Sequence, residues 1–299
     1  MVPGTEPPYL PGPLIELTRK AAGVFTDRGF ENPRLEAELL LAGILGMKRL
    51  DLYLQHDRPV TEAELERYRA AVRRRLKHEP LQYVLGTAAF RHLELAVDRR
   101  VLIPRPETEI LVGAVLDWVR SREMPGAALD IGTGSGAIAL SLAAEGPFTS
   151  VVATDVSQEA LAVAQQNAHR IGLGARVELR EGSLFEPLRA GEQFTVIVSN
   201  PPYVADSERD TLASEVRDHE PATALFAGDD GLSVIKLLLR DAPQWLETGG
   251  LLALEIGATQ GEDVMQRARA SGHYENVRVL PDLSGRARVV LAERTAARD

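Results

Sequence analysis

The 299-residue chain contains no cysteine. That one absence removes disulfides, zinc–thiolate sites and a cysteine nucleophile together. No apolar run approaches the ~20 residues that a membrane-spanning helix needs. The longest, Leu39 to Gly46, has eight. The opening residues are rich in Pro and Gly, carry no basic segment ahead of an apolar stretch, and do not read as a secretory signal. The six histidines (His56, His78, His92, His169, His219 and His273) show no metal-ligand spacing, so no metal site is expected, and no Ser-His-Asp grouping offers itself. What is present suits a packed core: 44% hydrophobic and 26% charged residues, at a length for one large or two ordinary domains. A soluble, cytoplasmic protein is the expectation.

Charge is unevenly spread. Residues 1–103 hold 16 basic and 14 acidic side chains, net +2, whereas residues 104–299 hold 18 and 29, net −11. An acidic half of this size disfavours non-specific contact with a phosphate backbone, where each contact needs a Lys or Arg. The first half does carry a basic run: Arg67, Arg69, Arg73, Arg74, Arg75 and Lys77. It reads chiefly as a solvated helix face answering Glu62, Glu64 and Glu66, with contact to a partner as the second reading.

From Leu14 to about Leu85 apolar positions recur every three or four residues, with breaks at Gly29–Pro33, Gly46–Arg49 and Arg58–Thr61. Thr61 followed by Glu64 has capping-box spacing and predicts a helix start. A helical domain of four or five helices follows, preceded by a frayed tail of about ten residues. Within 86–103, Phe90, Leu93, Leu95 and Val97 alternate with polar residues, and Val101–Ile103 form another short apolar run; two short strands are expected there. Beyond Pro104 strand-length runs at Ala127–Ile131, Val151–Thr154, Val177–Leu179, Val196–Val198 and Leu251–Ile256 alternate with helical stretches such as Ala137–Ala144 and Gln158–Arg170. That alternation predicts a mostly parallel, doubly wound α/β sheet.

The densest motif is Gly132-Thr133-Gly134-Ser135-Gly136, directly after the first of these strands and its Asp130. Glycines there permit positive φ and close approach of a ligand to the backbone. The spacing is G-x-G-x-G, not the G-x-G-x-x-G of dinucleotide sites. Asp155 follows the next strand, 23 positions after Gly132, where a carboxylate can hold ribose hydroxyls; its other reading is a helix cap together with Ser157. This arrangement fits S-adenosyl-L-methionine, which has no pyrophosphate to seat, better than a nicotinamide dinucleotide.

The second motif, Ser199-Asn200-Pro201-Pro202-Tyr203, follows the fourth strand and falls at the carboxyl edge of the sheet beside the glycine turn. An amide or aromatic amine is a poor nucleophile because its lone pair is delocalised. If the Asn200 side-chain oxygen and the Pro201 carbonyl accept its two N–H bonds, the nitrogen is oriented and enriched in electron density. Tyr203 can stack on the planar group and exclude water. A sulfonium methyl is already activated, so positioning and hydrogen-bond acceptors supply the rate without a metal. An ordinary rigid Pro-Pro turn is the plainer reading of the same residues.

With these residues in view, the sequence resembles the PrmC/HemK family, methyltransferases that modify the glutamine side-chain amide of peptide chain release factors. The resemblance also covers Glu79-Pro80-Leu81-Gln82-Tyr83, Ile103-Pro104-Arg105-Pro106-Glu107-Thr108-Glu109, His219-Glu220-Pro221, Leu254-Glu255-Ile256-Gly257 with Gln260, and Asp282-Leu283-Ser284-Gly285-Arg286. It implies a Rossmann-like sheet of seven strands, the last antiparallel, with Tyr274–Leu280 and Val289–Glu293 as a terminal hairpin. It implies a helical substrate-recognition domain at 1–85, a hairpin linker at 86–103 and an S-adenosyl-L-methionine-dependent methyltransferase domain at 104–299. By position, Gly132, Thr133, Gly134, Ser135, Gly136, Asp155, Ser183, Leu184 and Asn200 would hold the cofactor, while Asn200, Pro201, Pro202 and Tyr203 would bind the glutamine, with Asn200 and Pro201 catalytic. Two residues depart from the family pattern: Leu184 stands where relatives often carry an aromatic, and Ala287 replaces a polar residue. The implied partner is a release factor, with no direct nucleic acid, no membrane and a monomeric state.

An N6-adenine methyltransferase acting on DNA or RNA is the nearest rival, because Asn-Pro-Pro-Tyr also suits an exocyclic amine. Base flipping calls for a basic channel, against which the acidic second half argues. A non-catalytic binder that keeps the fold is disfavoured by the intact Asn200 and glycines.

Overall fold

The computed structural model describes residues 13–296, so the tail expected over the first ten residues lies outside the described region. The chain divides into two compact units, with the boundary between Gly86 and Thr87. Among the described residues no helix is long and apolar enough to cross a membrane.

The first unit is built from α1 (Leu14–Asp27), α2 (Pro33–Leu45), α3 (Asp51–Leu54), α4 (Glu62–Arg75) and α5 (Leu81–Leu85). Pro33 opens α2 at a position where its missing N–H costs nothing, and Gly46 closes the helix in the left-handed region. The capping box at α4 forms in full: Thr61 Oγ1 accepts the Glu64 N–H, and the Glu64 carboxylate accepts the Thr61 N–H. Leu14, Leu17, Phe25, Leu40, Leu41, Leu65 and Tyr68 fill the core, with the Tyr68 hydroxyl donating to the Ala37 carbonyl at 3.1 Å. In the basic run Arg69 pairs with Glu66 at 2.5 Å, Arg74 with Glu79 at 2.8 Å and Arg75 with Glu36 at 2.7 Å. Much of that charge is therefore answered within the unit.

The second unit begins with a hairpin, β1 (Thr87–Phe90) and β2 (Leu93–Ala96). The sequence marks this stretch as a linker, yet it packs as part of the second unit. Phe90 and Leu95 are fully buried in that unit's core, and Asn167 clamps Ala96 through both its N–H and its carbonyl. Val101–Ile103 form no strand; Val101 and Ile103 are nevertheless buried.

Next come α6 (Pro106–Arg122), β3 (Ala127–Ile131), α7 (Ala137–Glu145), β4 (Ser150–Asp155), α8 (Gln158–Arg170), β5 (Val177–Glu181) and β6 (Phe194–Ser199). They are followed by α9 (Ser214–His219), α10 (Ser233–Asp241), β7 (Leu246–Glu255), α11 (Gly261–Ala270), β8 (Tyr274–Pro281) and β9 (Ala287–Arg294). The seven-stranded sheet has the order β5-β4-β3-β6-β7-β9-β8, parallel from β5 to β7, with β9 antiparallel to both neighbours. Helices cover both faces, so the central strands read as continuous apolar runs. Val196 and Val198 of β6 pack on the side of α6 and α7, while Phe194 and Ile197 face α10 and α11. β7 starts at Leu246, five residues before its apolar run. Its first half passes through Gly249 at φ +76°, and a Cβ on Gly250 would lie 2.9 Å from the Thr195 carbonyl oxygen. Strand order reverses at β3, between β4 and β6, which opens a crevice at the carboxyl ends of these strands.

Candidate active site

The glycine turn leaves β3 into that crevice. Gly132, Gly134 and Gly136 have φ of +74°, +54° and +85°, conformations that a side chain would strain. A Cβ on Gly132 or Gly134 would meet nothing within 4 Å, so the turn presents bare backbone to open space. Behind it, Asp130 is fully buried and accepts the Thr133 hydroxyl at 2.6 Å and the Ala139 N–H at 3.1 Å. This carboxyl staples the turn to the start of α7, and burial pushes its pKa up to about 7. Asp155, at the end of β4, accepts the Gly134 N–H at 2.8 Å through one oxygen and the Ser157 N–H at 2.9 Å through the other. Ser157 in turn caps α8 by accepting the Ala160 N–H. Burial raises the Asp155 pKa as well. With two lone pairs on each oxygen, the Asp155 carboxylate keeps acceptor capacity beyond these donors.

The predicted residues divide by what their side chains do. The Thr133 hydroxyl is committed to Asp130, and the Ser135 carbonyl accepts from Asn167. Both residues are buried. Ser183 and Leu184 follow β5 at the same sheet edge. The Ser183 N–H bonds to Glu186, while Leu184 sits at φ +49° with its carbonyl accepting from the Thr154 hydroxyl at 3.4 Å.

The Asn-Pro-Pro-Tyr segment is pinned at each end. Ser199 Oγ donates to the Ile131 carbonyl at 2.7 Å and ties the end of β6 to β3. The Tyr203 carbonyl accepts from Gln260 Nε2 at 3.0 Å, and Gln260 also accepts the Gly257 N–H. The Tyr203 hydroxyl lies 3.4 Å from Glu255 Oε1, and Arg288 stands over its ring at 5.9 Å. Burial, with Glu255 adding to it, pushes the phenol up to about 12. Asn200 Nδ2 donates to Thr108 Oγ1 at 3.1 Å. Among the described residues, Asn200 Oδ1 and the Pro201 carbonyl have no hydrogen-bond donor on them. Two acceptors are thus left for something outside the chain.

Sequence reasoning passed over several partners of this segment: Thr108, Glu255, Gln260 and Arg288 as site components, and Asp130 as the staple of the turn. One signal was available. Glu255 interrupts the otherwise apolar run Leu251–Ile256, and a buried carboxylate demands a partner. Near the crevice Arg105, ahead of α6, holds both oxygens of Glu220 at 2.7 and 2.8 Å, and burial raises the Glu220 pKa. A cleft of about 520 Å³ opens at the opposite sheet edge, where β3 to β6 begin, but none of the predicted site residues lines it.

The model of the PrmC N-terminal domain matches residues 16–86, and that of the methyltransferase small domain matches residues 108–220. A release factor glutamine methyltransferase of Geobacter sulfurreducens is 46% identical over 252 residues, 84% of this chain and 86% of that protein. One of Moorella thermoacetica is 46% identical over 276 residues, 92% of this chain and 95% of that protein. The chain belongs to the release factor glutamine methyltransferase family. Among solved structures, the hMettl16 catalytic domain crystallised with MAT2A 3′UTR hairpin 1 superposes with a TM-score of 0.55 at 16% identity, covering 86% of this chain and 91% of that one. At that identity the likeness is one of fold alone, and the Rossmann-like methyltransferase sheet is common to both. Members of the release factor glutamine methyltransferase family match this chain over nearly its full length, helical unit included.

Proposed function

We propose that this chain transfers a methyl group from S-adenosyl-L-methionine to the side-chain amide nitrogen of the glutamine in the Gly-Gly-Gln motif of peptide chain release factors. The observation that carries the reading is the pair of unengaged acceptors, Asn200 Oδ1 and the Pro201 carbonyl, beside the glycine turn at one sheet edge. A primary amide brings two N–H donors, and this pair matches them.

The residues at the crevice fit the donor. Bare backbone at Gly132 and Gly134 admits close approach, Gly136 completes the turn, and Asp155 has lone pairs left for ribose hydroxyls. Thr133 and Ser135 would contribute backbone, and Ser183 and Leu184 would border the adenine, with Leu184 offering aliphatic contact. When bound, S-adenosyl-L-methionine supplies a sulfonium methyl that needs no further activation. Asn200 and Pro201 hold the glutamine nitrogen so that its lone pair faces that methyl, and acceptors placed on the N–H groups stabilise the positive charge growing on nitrogen. Pro202 stiffens the loop, and Tyr203 walls the amide from water. Transfer would form one nitrogen–carbon bond as the donor's carbon–sulfur bond breaks, leaving the donor as a neutral thioether and one proton that passes to water.

The helical unit, residues 1–85, is assigned to recognition of the release factor. Action on protein rather than directly on nucleic acid, a monomeric state and a cytoplasmic location complete the proposal. The test is methylation of a purified release factor with labelled donor, beside a variant whose Gly-Gly-Gln glutamine is replaced by glutamate. Label on the first and none on the second is expected. Equal labelling of both would contradict the assignment.

A further inference from the structure

Asn200 engages the protein through its nitrogen, and its oxygen is left outward. Which end faces inward is decided two side chains away. Thr108, in the first turn of α6, has a single hydroxyl proton, and it is directed to Glu255 Oε2 at 2.6 Å. With Glu255 ionised to take that proton, the same oxygen can only accept toward Asn200, at 3.1 Å. A flipped Asn200 would set its carbonyl oxygen against an oxygen with no proton to offer, leaving two acceptors face to face at a part-buried contact. Glu255 is fixed in turn. It is fully buried at the end of β7, takes the Thr108 hydroxyl on one oxygen, and has the Tyr203 hydroxyl at 3.4 Å from the other. One carboxyl thus reaches both ends of the Asn-Pro-Pro-Tyr segment. Three elements distant in sequence, α6, β6 and β7, meet at this point.

We propose that Thr108 and Glu255 are positioning residues that hold the Asn200 amide with its oxygen toward the substrate amide. The inference rests on the glutamine-methylation reading and adds to it the device that selects the productive orientation. Neither residue is required to touch substrate or cofactor.

The test compares Thr108→Val, which keeps the shape and removes the hydroxyl, with Thr108→Ser, which keeps the hydroxyl. With a release factor as substrate, Thr108→Val should lower kcat by about 10- to 100-fold, the scale of a misaligned reacting group. Its KM for the release factor and its affinity for S-adenosyl-L-methionine should stay within about threefold, as expected when only alignment is lost. Thr108→Ser should recover kcat to within about threefold of the parent chain, because the hydroxyl relay is retained. Undiminished kcat in Thr108→Val would overturn the proposal. So would a Thr108→Ser as impaired as Thr108→Val, which would make the threonine a packing residue. A second readout is independent of substrate. The Asn200 side-chain NH2 resonances of the 15N-labelled protein should shift in Thr108→Val and in Glu255→Gln, and unchanged resonances in both would also overturn it. A parent chain that leaves the release factor unmodified while these resonances respond would sink the substrate reading and leave the positioning role standing.

Discussion

Asn200 carries the largest share of the proposed chemistry. Asn200→Ala removes an acceptor aimed at developing charge, so turnover should fall by about 10²- to 10³-fold. Donor affinity by calorimetry should change less than about threefold, because the glycine turn and Asp155 supply most of the contacts proposed for the donor. Asp155→Ala should do the reverse and mainly weaken donor binding. It also frees the Gly134 and Ser157 N–H groups, so some loss of stability accompanies it. Asp130 gives a pH signature. Its buried carboxyl titrates near 7, above the ordinary carboxylate range, so the folded state keeps a proton that the unfolded state has already released. The stability tied to this group is fully present below about pH 4 and is lost as pH rises through about 7. Thermal midpoints should therefore fall from about pH 5.5 to about pH 8, and Asp130→Asn should flatten that slope, leaving the like-signed part due to Glu255. An unchanged slope in Asp130→Asn would contradict the assignment. At this scale the two contiguous motifs were legible because each is a run of neighbouring residues with special backbone chemistry. Thr108 and Glu255 were not: Thr108 meets Asn200 across 92 residues and Glu255 across 147, and nothing local announces either pairing.

The elements themselves were more readable than their junctions. Helix α8 spans the residues that its periodicity predicts, and the α4 cap forms where Thr61 and Glu64 place it. The start of β7 and the packing of the hairpin were hidden, since both depend on contacts made elsewhere: Gly250 against Thr195, and Asn167 against Ala96. One glycine tests how the β6–α10 excursion supports the site. Gly231 has φ +67°, and a Cβ there would sit 2.3 Å from the Tyr203 carbonyl oxygen, which is backbone and cannot move aside cheaply. Gly231→Ala should lower the thermal midpoint well beyond the ~1 kcal/mol of left-handed strain alone and displace the Asn-Pro-Pro-Tyr segment, reducing turnover. Gly249→Ala is the control: its φ is +76° with nothing within 4 Å, so strain without collision is expected. Equal effects at the two positions would show that the contact with Tyr203 carries no weight.

For the whole molecule the division of labour follows the charge. The helical unit answers much of its basic run internally, and residues 104–299 carry net −11. An acidic catalytic half suits a protein loop delivered to the crevice better than a phosphate backbone drawn along it. The parallel, doubly wound sheet and the placing of both motifs at its carboxyl edge were readable from the strand–helix alternation, whereas the strand order was not, since it depends on pairings made across the chain. The decisive measurement is methyl transfer from labelled S-adenosyl-L-methionine to a purified release factor and, in parallel, to a mixed DNA and RNA pool, with the modified residue located by peptide mass mapping. Label on the Gly-Gly-Gln glutamine, with the nucleic acid unlabelled, is the predicted result. Label on nucleic acid alone would keep the fold and the donor but contradict the amide as the acceptor.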